Sequence, residues 1–209
     1  FATCPIERLV EDGQGMSLRQ LLKKPIFAAA IILMICAGAS EMSMAQWASA
    51  FAESALGLTK SVGDLAGACL FATTMGISRM LYGKFGEKID LIKFMLVSGV
   101  ICVVSYLLAG LSAMPIWGLV GCVMCGFSVG IMWPGSISIT APRIPKGGTA
   151  LFALLAMAGD MGGAFGPSVV GYFSQHAGDN LQAGLLTGCI FPLIMLATLI
   201  AMKKMTPEG

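Results

Sequence analysis

Two carboxylates stand inside long apolar stretches of the sequence, where an ionised side chain is costly. Asp160 lies within AGDMGGAFGP (residues 158–167), and Glu41 lies within GASEMSMAQW (residues 38–47). A charged group in hydrocarbon usually faces a cavity or a partner of opposite charge. Each carboxylate is therefore a candidate for carrying a proton or pairing with a cation. The simpler alternative is that a neutral acid bonds a neighbouring helix.

Polar and aromatic residues close to Glu41 could form a binding surface for a small solute. Ser43, Gln46 and Trp47 fall within about one helical turn, so their side chains would lie on overlapping faces. Trp133 is a second ring that could stack on a sugar, although tryptophan near a membrane interface often serves only as an anchor. These four residues are the predicted substrate contacts.

The elements that must position these residues are membrane helices. Apolar residues make up 56% of the chain and charged residues only 11%, against about 25% charged residues in soluble domains. Six apolar blocks are long enough to cross about 30 Å of hydrocarbon at about 1.5 Å per residue, and they lack the alternation of barrel strands. The predicted spans are residues 26–52, 62–82, 91–112, 115–137, 149–173 and 184–203. The sequence therefore predicts an all-α membrane protein with a six-helix bundle over residues 26–204.

Polar segments flank these spans. Residues 1–25 are expected to be a cytoplasmic linker in which a short basic helix, opening at Ser17, lies on the membrane surface, and residues 205–209 a short tail. The second and sixth helices are predicted to open with loose capping boxes at Ser61–Asp64 and Asp179–Gln182. In the fifth helix, Asp160 would lie about 16 Å from the cytoplasmic end, close to the midplane of the bilayer.

The basic residues indicate the orientation of the chain. Twelve of the 13 Lys and Arg residues lie before the first helix, around the second and fourth loops, or after the sixth helix, and Lys60 alone lies opposite. Because Lys and Arg are enriched in cytoplasmic loops, both ends of the segment are expected in the cytoplasm, in a protein of the plasma or inner membrane. None of these bases is expected to lie deep enough to pair with Glu41 or Asp160.

The loop after the second helix carries a recognisable pattern. Its sequence GKFGEKIDLIK (residues 83–93) has a glycine, three residues, an acid and then bases. This pattern resembles the loop motif of the major facilitator superfamily, although Asp90, Leu91 and Ile92 depart from it. The resemblance implies that Gly83 allows close helix approach and that Glu87, Lys88 and Arg79 form a cytoplasmic latch. Simple anchoring by the bases at the membrane surface is the alternative.

Two further stretches strengthen the resemblance to this superfamily. GFSVGIMWPGSISIT (residues 126–140) contains Trp133–Pro134, which matches an aromatic-proline pair that breaks a helix in mid-membrane. AGDMGGAFGPSVVGYF (residues 158–173) is similarly rich in glycine and contains a Gly-Pro step. The sequence thus resembles the C-terminal six-helix half of a major facilitator transporter, with the fucose-permease-like sugar transporters as the branch.

The resemblance implies one half of a twelve-helix secondary transporter that moves a small solute by alternating access. Coupling to protons or ions is favoured, and the favoured substrate is a sugar or a related small polar solute. Glu41 and Asp160 are the predicted coupling sites. Because the chain begins at Phe1 in a basic linker, we expect that an N-terminal half, or a second copy, completes it. The alternatives are a half-size homodimer, a drug or cation exporter, and a non-transporting scaffold or sensor.

Other kinds of chemistry find little support in the sequence. No nucleotide-binding loop, zinc-protease histidine pair or serine nucleophile elbow is present, so neither an enzyme nor a nucleic-acid partner is expected. Cys122 and Cys125 have C-x-x-C spacing without a thioredoxin context, and the cysteines in the apolar spans are predicted to be small core residues. No metal or cofactor is predicted. The third and sixth helices contain no charge within residues 95–111 and 185–202 and should contribute no site.

Overall fold

A computed structural model describes residues 16–57 and 59–205, with the side chains at positions 51, 54–56, 87 and 115 left undescribed. Every regular element in this part of the chain is a helix. In chain order these are α1 Leu18–Leu22, α2 Pro25–Leu56, α3 Lys60–Asp64, a π-helical turn Leu65–Cys69, α4 Leu70–Phe85, a 3-10 turn Gly86–Lys88, α5 Leu91–Leu111, α6 Pro115–Val129, α7 Met132–Thr140, a 3-10 turn Ala141–Arg143, α8 Gly148–His176, α9 Leu181–Gly188 and α10 Ile190–Met205.

In the described part of the chain, six helical stretches are long and apolar enough to cross a membrane. They are Pro25–Ala50, Lys60–Phe85, Leu91–Leu111, Ile116–Arg143, Gly148–His176 and Leu181–Met205. The predicted all-α architecture with six transmembrane helices is thereby confirmed. We refer to these stretches as spans one to six.

Local capping chemistry explains several helix starts. Ser17 and Gln20 form a reciprocal capping box at α1, and Asn180 accepts hydrogen bonds from the Gln182 and Ala183 amides at α9. The cap predicted at Ser61–Asp64 is wrong, because span two already begins at Lys60. Asp64 instead accepts a hydrogen bond from Ser49 of α2, which links the ends of spans one and two.

Prolines interrupt two spans because proline has no N–H to bond the carbonyl four residues earlier. Span four is broken between α6 and α7 at Gly130 and Ile131, just before Pro134. The helix break expected at Trp133–Pro134 is therefore present. Span six is broken at Cys189, between α9 and α10, just before Pro192. Pro167, in contrast, lies inside α8 without ending that helix.

The first span lies at the centre of the bundle and packs most closely on α8. A side chain at Gly38 would overlap the carbonyl of Gly159, and one at Gly162 would overlap the carbonyl of Ile35. This small-residue contact lets the two helix backbones approach each other closely. It also fixes the rotation of α2 about its axis, and hence which of its side chains face α8.

The remaining spans support α2 from behind. Tyr106 of α5 is completely buried, and its hydroxyl donates a 2.8 Å hydrogen bond to the carbonyl of Ser40. Near the start of the chain, Leu21 of α1 is completely buried in a cluster with Phe27, Ile144 and Leu151. The position of α1 at the membrane surface remains a prediction. Leu21 packs on the bundle, whereas Leu18 and Leu22 are exposed.

Candidate substrate and coupling site

A cleft of about 500 Å³ opens beside the α2–α8 contact, and we call it the charged cleft. Four spans contribute to it, whereas the predicted coupling and substrate residues come from the first, fourth and fifth spans. Its lining residues are Gly38, Glu41, Met42, Arg79, Trp133, Gly159, Asp160, Gly163 and Ala164. The structure therefore brings both predicted carboxylates and Trp133 to one cavity and adds a guanidinium from α4.

Glu41 has a basic partner in this cleft. Nη2 of Arg79 lies 3.6 Å from Oε1 of Glu41, and the two side chains are 45% and 17% exposed, respectively. The expectation that no base of this chain can reach Glu41 is therefore wrong. Arg79 lies only about 9 Å from the end of α4 along its axis, but a long side chain can carry its charge well away from its backbone.

The second oxygen of Glu41 has a different environment. Oε2 is buried and has no hydrogen-bond partner among the described residues. Leaving a buried acceptor unpaired is unfavourable, because its lost hydration is not replaced. This oxygen is therefore a position at which a proton, or a donor group of a ligand, would be stabilised.

The break in span four positions Arg79. Pro134 cannot donate to the carbonyl of Gly130, four residues earlier, so this carbonyl has no helical donor from that position. Nε of Arg79 donates to it instead, at a distance of 3.1 Å. One guanidinium thus joins the broken helix of span four to the carboxylate of span one.

Asp160 lies in the same cleft in an exposed position. It stands about 18 Å along α8 from the start of that helix. Among the described residues no side chain or backbone group forms a hydrogen bond or ion pair with its carboxylate. The neighbouring Gly159 is in contact with the indole ring of Trp133, because a side chain at Gly159 would overlap that ring. Asp160 is thus a carboxylate without a cation, beside an aromatic ring.

A second cavity of about 460 Å³ adjoins the first and shares Gly163 and Ala164 with it. We call it the neutral pocket, because none of its lining residues is charged. Gln46 and Trp47 lie here together with Ser168, Tyr172 and Gln175. Nε1 of Trp47 donates to the carbonyl of Pro167 at 3.3 Å, so its polar atom already has a partner.

The predicted substrate contacts therefore do not share one pocket. Trp133 lines the charged cleft, whereas Gln46 and Trp47 line the neutral pocket. Ser43 lines neither cavity, since it is completely buried where α2 meets Gly166 of α8. Ser43 packs in the interface between α2 and α8. Trp47 and Trp133 line different cavities, so they do not stand on opposite sides of one binding site.

Comparison with known proteins agrees with this architecture. Residues 26–208 match the family model of the Major Facilitator Superfamily. The chain belongs to the major facilitator superfamily. This is a family of membrane transporters rather than enzymes.

Two curated superfamily relatives are the multi-drug resistance efflux pumps PmrA of Streptococcus pneumoniae strains TIGR4 (serotype 4) and R6. Each is 28% identical to this chain over 159 residues, which is 71% of the chain and 39% of the relative. The chain thus spans about two fifths of the length of the curated relatives it matches.

The superfamily loop motif adopts a local structure that the sequence pattern did not predict. Arg79 points into the charged cleft, Lys88 is exposed, and the side chain of Glu87 lies outside the described residues. No described atom lies within 4 Å of the position that a side chain at Gly83 would occupy. A latch formed by these residues with a second bundle stays a prediction.

Asp90, which departs from the superfamily motif, is the N-terminal cap of α5. Its carboxylate accepts a 3.2 Å hydrogen bond from the Lys93 amide and lies 3.3 Å from the Lys93 ammonium. The amide, aided by the ammonium, lowers the pKa of Asp90 below its ordinary value. Lys93 is therefore paired within its own helix turn.

The cysteines are distributed through the bundle. Cys36, Cys102, Cys122, Cys125 and Cys189 are buried, whereas Cys69 is exposed and Cys4 lies outside the described residues. Sγ of Cys102 lies 3.8 Å from Sγ of Cys125. Within residues 16–57 and 59–205, no cluster of three or more His, Cys, Asp or Glu side chains is arranged to hold a metal ion.

Proposed function

We propose that this chain is one half of a secondary active transporter that exports small amphipathic organic cations by alternating access. The observation that carries the proposal is the charged cleft, where two carboxylates and one guanidinium leave a formal charge of −1 beside Trp133. An organic cation is attracted both by a carboxylate and by the face of an indole ring. The cleft thus has the chemistry that such a cation requires.

The charged cleft supports a cation better than a sugar. A sugar site needs several directed hydrogen bonds and aromatic faces that converge on one ring. Trp47 and Trp133 line different cavities, and Nε1 of Trp47 already donates to the protein backbone. The likeness to the multi-drug resistance efflux pump PmrA supports an exporter of drug-like solutes over a sugar transporter.

The two carboxylates also supply the means for coupling transport to a proton gradient. Oε2 of Glu41 is buried without a partner, and Asp160 is unpaired among the described residues. A proton bound at either carboxylate would weaken the attraction for a cation, because it removes one negative charge from the cleft. Exchange of protons for cations across the membrane follows from this competition.

Alternating access requires a second bundle that covers the cleft and rocks against the first. An N-terminal six-helix half or a second copy of this chain would take this position. We propose that the faces of α2 and α8 that line the two cavities contact this second bundle and move against it. The lipid bilayer would surround the remaining spans.

The proposal is tested by transport in proteoliposomes that contain the intact transporter. Uptake of tetraphenylphosphonium is measured with and without a pH gradient, together with uptake of a radiolabelled hexose. We expect gradient-dependent movement of the cation and at least a tenfold loss in Asp160→Asn. Asp179→Asn is the matched control, because it makes the same chemical change at an exposed position outside both cavities.

Other results would contradict the proposal. Transport of the hexose but not of the cation would favour the sugar transporter, and movement of neither would favour a scaffold or sensor. An unchanged rate and pH dependence in Asp160→Asn would remove Asp160 from the coupling site.

A further inference from the structure

We propose that Arg79 is a positioning residue that determines which carboxylate of the charged cleft is free to bind a cation. Held by the carbonyl of Gly130, it neutralises Glu41 and leaves Asp160 as the carboxylate that meets the substrate. This inference rests on the proposed function, since it names which carboxylate of the same cleft binds the substrate.

The guanidinium of Arg79 contacts two partners at once. Arg79 uses two different nitrogens, with Nε donating to the Gly130 carbonyl at 3.1 Å and Nη2 facing Oε1 of Glu41 at 3.6 Å. A planar fork of donors can hold two acceptors at once, which the single ammonium of lysine cannot do in the same geometry. The orientation of Arg79 is therefore set by the broken helix of span four.

The carbonyl of Gly130 is available to Arg79 because span four is broken at this point. Gly130 accepts from Arg79 because Pro134 offers no helical N–H to it. The aromatic-proline pair thus has two effects in the cleft, since Trp133 supplies the ring and Pro134 supplies the acceptor that directs the arginine. A continuous helix at this point would satisfy Gly130 internally and leave Nε of Arg79 without this partner.

The two carboxylates of the charged cleft differ in whether they have a counter-ion. Glu41 is the more buried member of its pair, at 17% exposure, and has the arginine as its counter-ion. Asp160 is exposed in the same cleft and has no cation among the described residues. A cationic solute would therefore meet Asp160 as the uncompensated charge, while Glu41 is already neutralised.

A set of three variants tests this arrangement, with radiolabelled tetraphenylphosphonium as the probe in equilibrium dialysis of the purified, intact transporter. Glu41→Gln leaves Arg79 without its counter-ion beside Asp160, so we expect cation binding to weaken at least tenfold. Arg79→Gln on its own leaves both carboxylates and a formal charge of −2 in the cleft, so binding of the cation should be stronger than in the parent. The double variant Glu41→Gln/Arg79→Gln restores the formal charge of −1, and its affinity should return to within about threefold of the parent. If Arg79 only packed the bundle, removing its charge would not restore the cation binding lost in Glu41→Gln.

A second comparison isolates the role of the helix break. Pro134→Ala supplies an N–H for the Gly130 carbonyl, so Arg79 should lose its anchor. The released guanidinium could then approach Asp160, and cation binding should weaken at least threefold. Pro192→Ala is the matched control, because it makes the same change at the break in span six, outside the charged cleft. The affinity of the Pro192→Ala protein should match that of the parent.

The melting temperature in detergent separates this inference from the proposed function. In a double-mutant cycle at Glu41 and Arg79, we expect shifts that do not add, because the residues form one pair. Non-additive shifts in a protein that binds no cation would overturn the proposed function while leaving the pair intact. Additive shifts, or a double variant that binds no better than Glu41→Gln, would overturn the role of Arg79.

If a glutamine variant fails to fold, Arg79→Lys provides the second test. It keeps the charge but loses the fork, and we expect binding between those of the parent and Glu41→Gln.

Discussion

The indole ring of Trp133 packs directly on the backbone of Gly159, and this contact places an aromatic surface one residue away from Asp160. The two residues come from different spans and are joined by no polar bond that would hold them together. Only the absence of a side chain at Gly159 allows the ring this position. The contact therefore couples the small-residue packing of the bundle to the shape of the charged cleft.

Gly159→Ala should displace the ring of Trp133, because the new methyl group would overlap it. Overpacking of this kind costs about 1–3 kcal/mol in stability. We expect a lower melting temperature together with weaker cation binding. Gly76→Ala is the control, since no described atom lies within 4 Å of the position of its new methyl group. An unchanged affinity for cations in Gly159→Ala would show that the position of Trp133 does not matter for binding.

The pH dependence of Asp90 gives a second prediction. Its pKa is lowered in the folded protein by the Lys93 amide and ammonium, so ionised Asp90 stabilises the start of α5. This stabilisation is fully present above the ordinary aspartate pKa and is lost as the pH falls through the lowered value of the folded state. Asp90→Ala should remove it at neutral pH and reduce the melting temperature.

Asp90→Asn provides the matched comparison, because an asparagine side chain can still accept a hydrogen bond from the amide and cap the helix. Its melting temperature at neutral pH should lie between those of the parent and Asp90→Ala. The difference between the parent and Asp90→Asn should shrink as the solution is made acidic. A difference that is constant with pH would contradict an electrostatic role for Asp90.

The six spans were predictable because the signals for them are local. Apolar blocks of membrane length and the Trp133–Pro134 break depend on neighbouring residues in the chain, and the structure has both. The candidate acids could also be found from the sequence, since a carboxylate inside an apolar block is unusual wherever the helix packs. These signals require no knowledge of which helices are neighbours.

The rotation of α2 about its axis could not be obtained in this way. Gly38, Glu41 and Met42 follow the i, i+3, i+4 spacing of one helix face, and this face lines the cleft. Ser43 is turned by about 200° from Glu41 at 3.6 residues per turn, so it lies in the interface with α8. Which face is turned inward is decided by the contact of Gly38 with Gly159, which are far apart in sequence.

The contact of Arg79 with Glu41 could not be predicted for a related reason. Its position near the end of α4 favours a role at the cytoplasmic surface when the sequence is considered alone. Its orientation depends on the carbonyl of Gly130 in another span, and this acceptor exists only because Pro134 breaks that span. Such a partner becomes visible only when the two spans are seen side by side.

The cytoplasmic latch is open to a direct test. No described atom lies within 4 Å of the position of a new methyl group at Gly83. Gly83→Ala should therefore leave the melting temperature of this bundle unchanged or slightly raised, because alanine is the better helix former. If Gly83 allows close approach of a helix from the second bundle, transport should nevertheless fall at least threefold. Lys88→Gln should have the same effect if its charge is needed in the latch. Unchanged transport by both variants would favour simple anchoring of this loop at the membrane surface.

Trp47 should contribute to stability more than to recognition of the substrate's charge. Its Nε1 donates to the carbonyl of Pro167 at 3.3 Å, and Trp47→Phe removes this bond while keeping an aromatic ring. A lost hydrogen bond of this kind costs about 1 kcal/mol, so the melting temperature should fall slightly. Trp133→Phe is the matched change in the charged cleft, and it should weaken binding of tetraphenylphosphonium more than Trp47→Phe does, because indole attracts cations more strongly than benzene. Equal losses of affinity in the two variants would indicate that a single cation extends from Asp160 into the neutral pocket and contacts both rings.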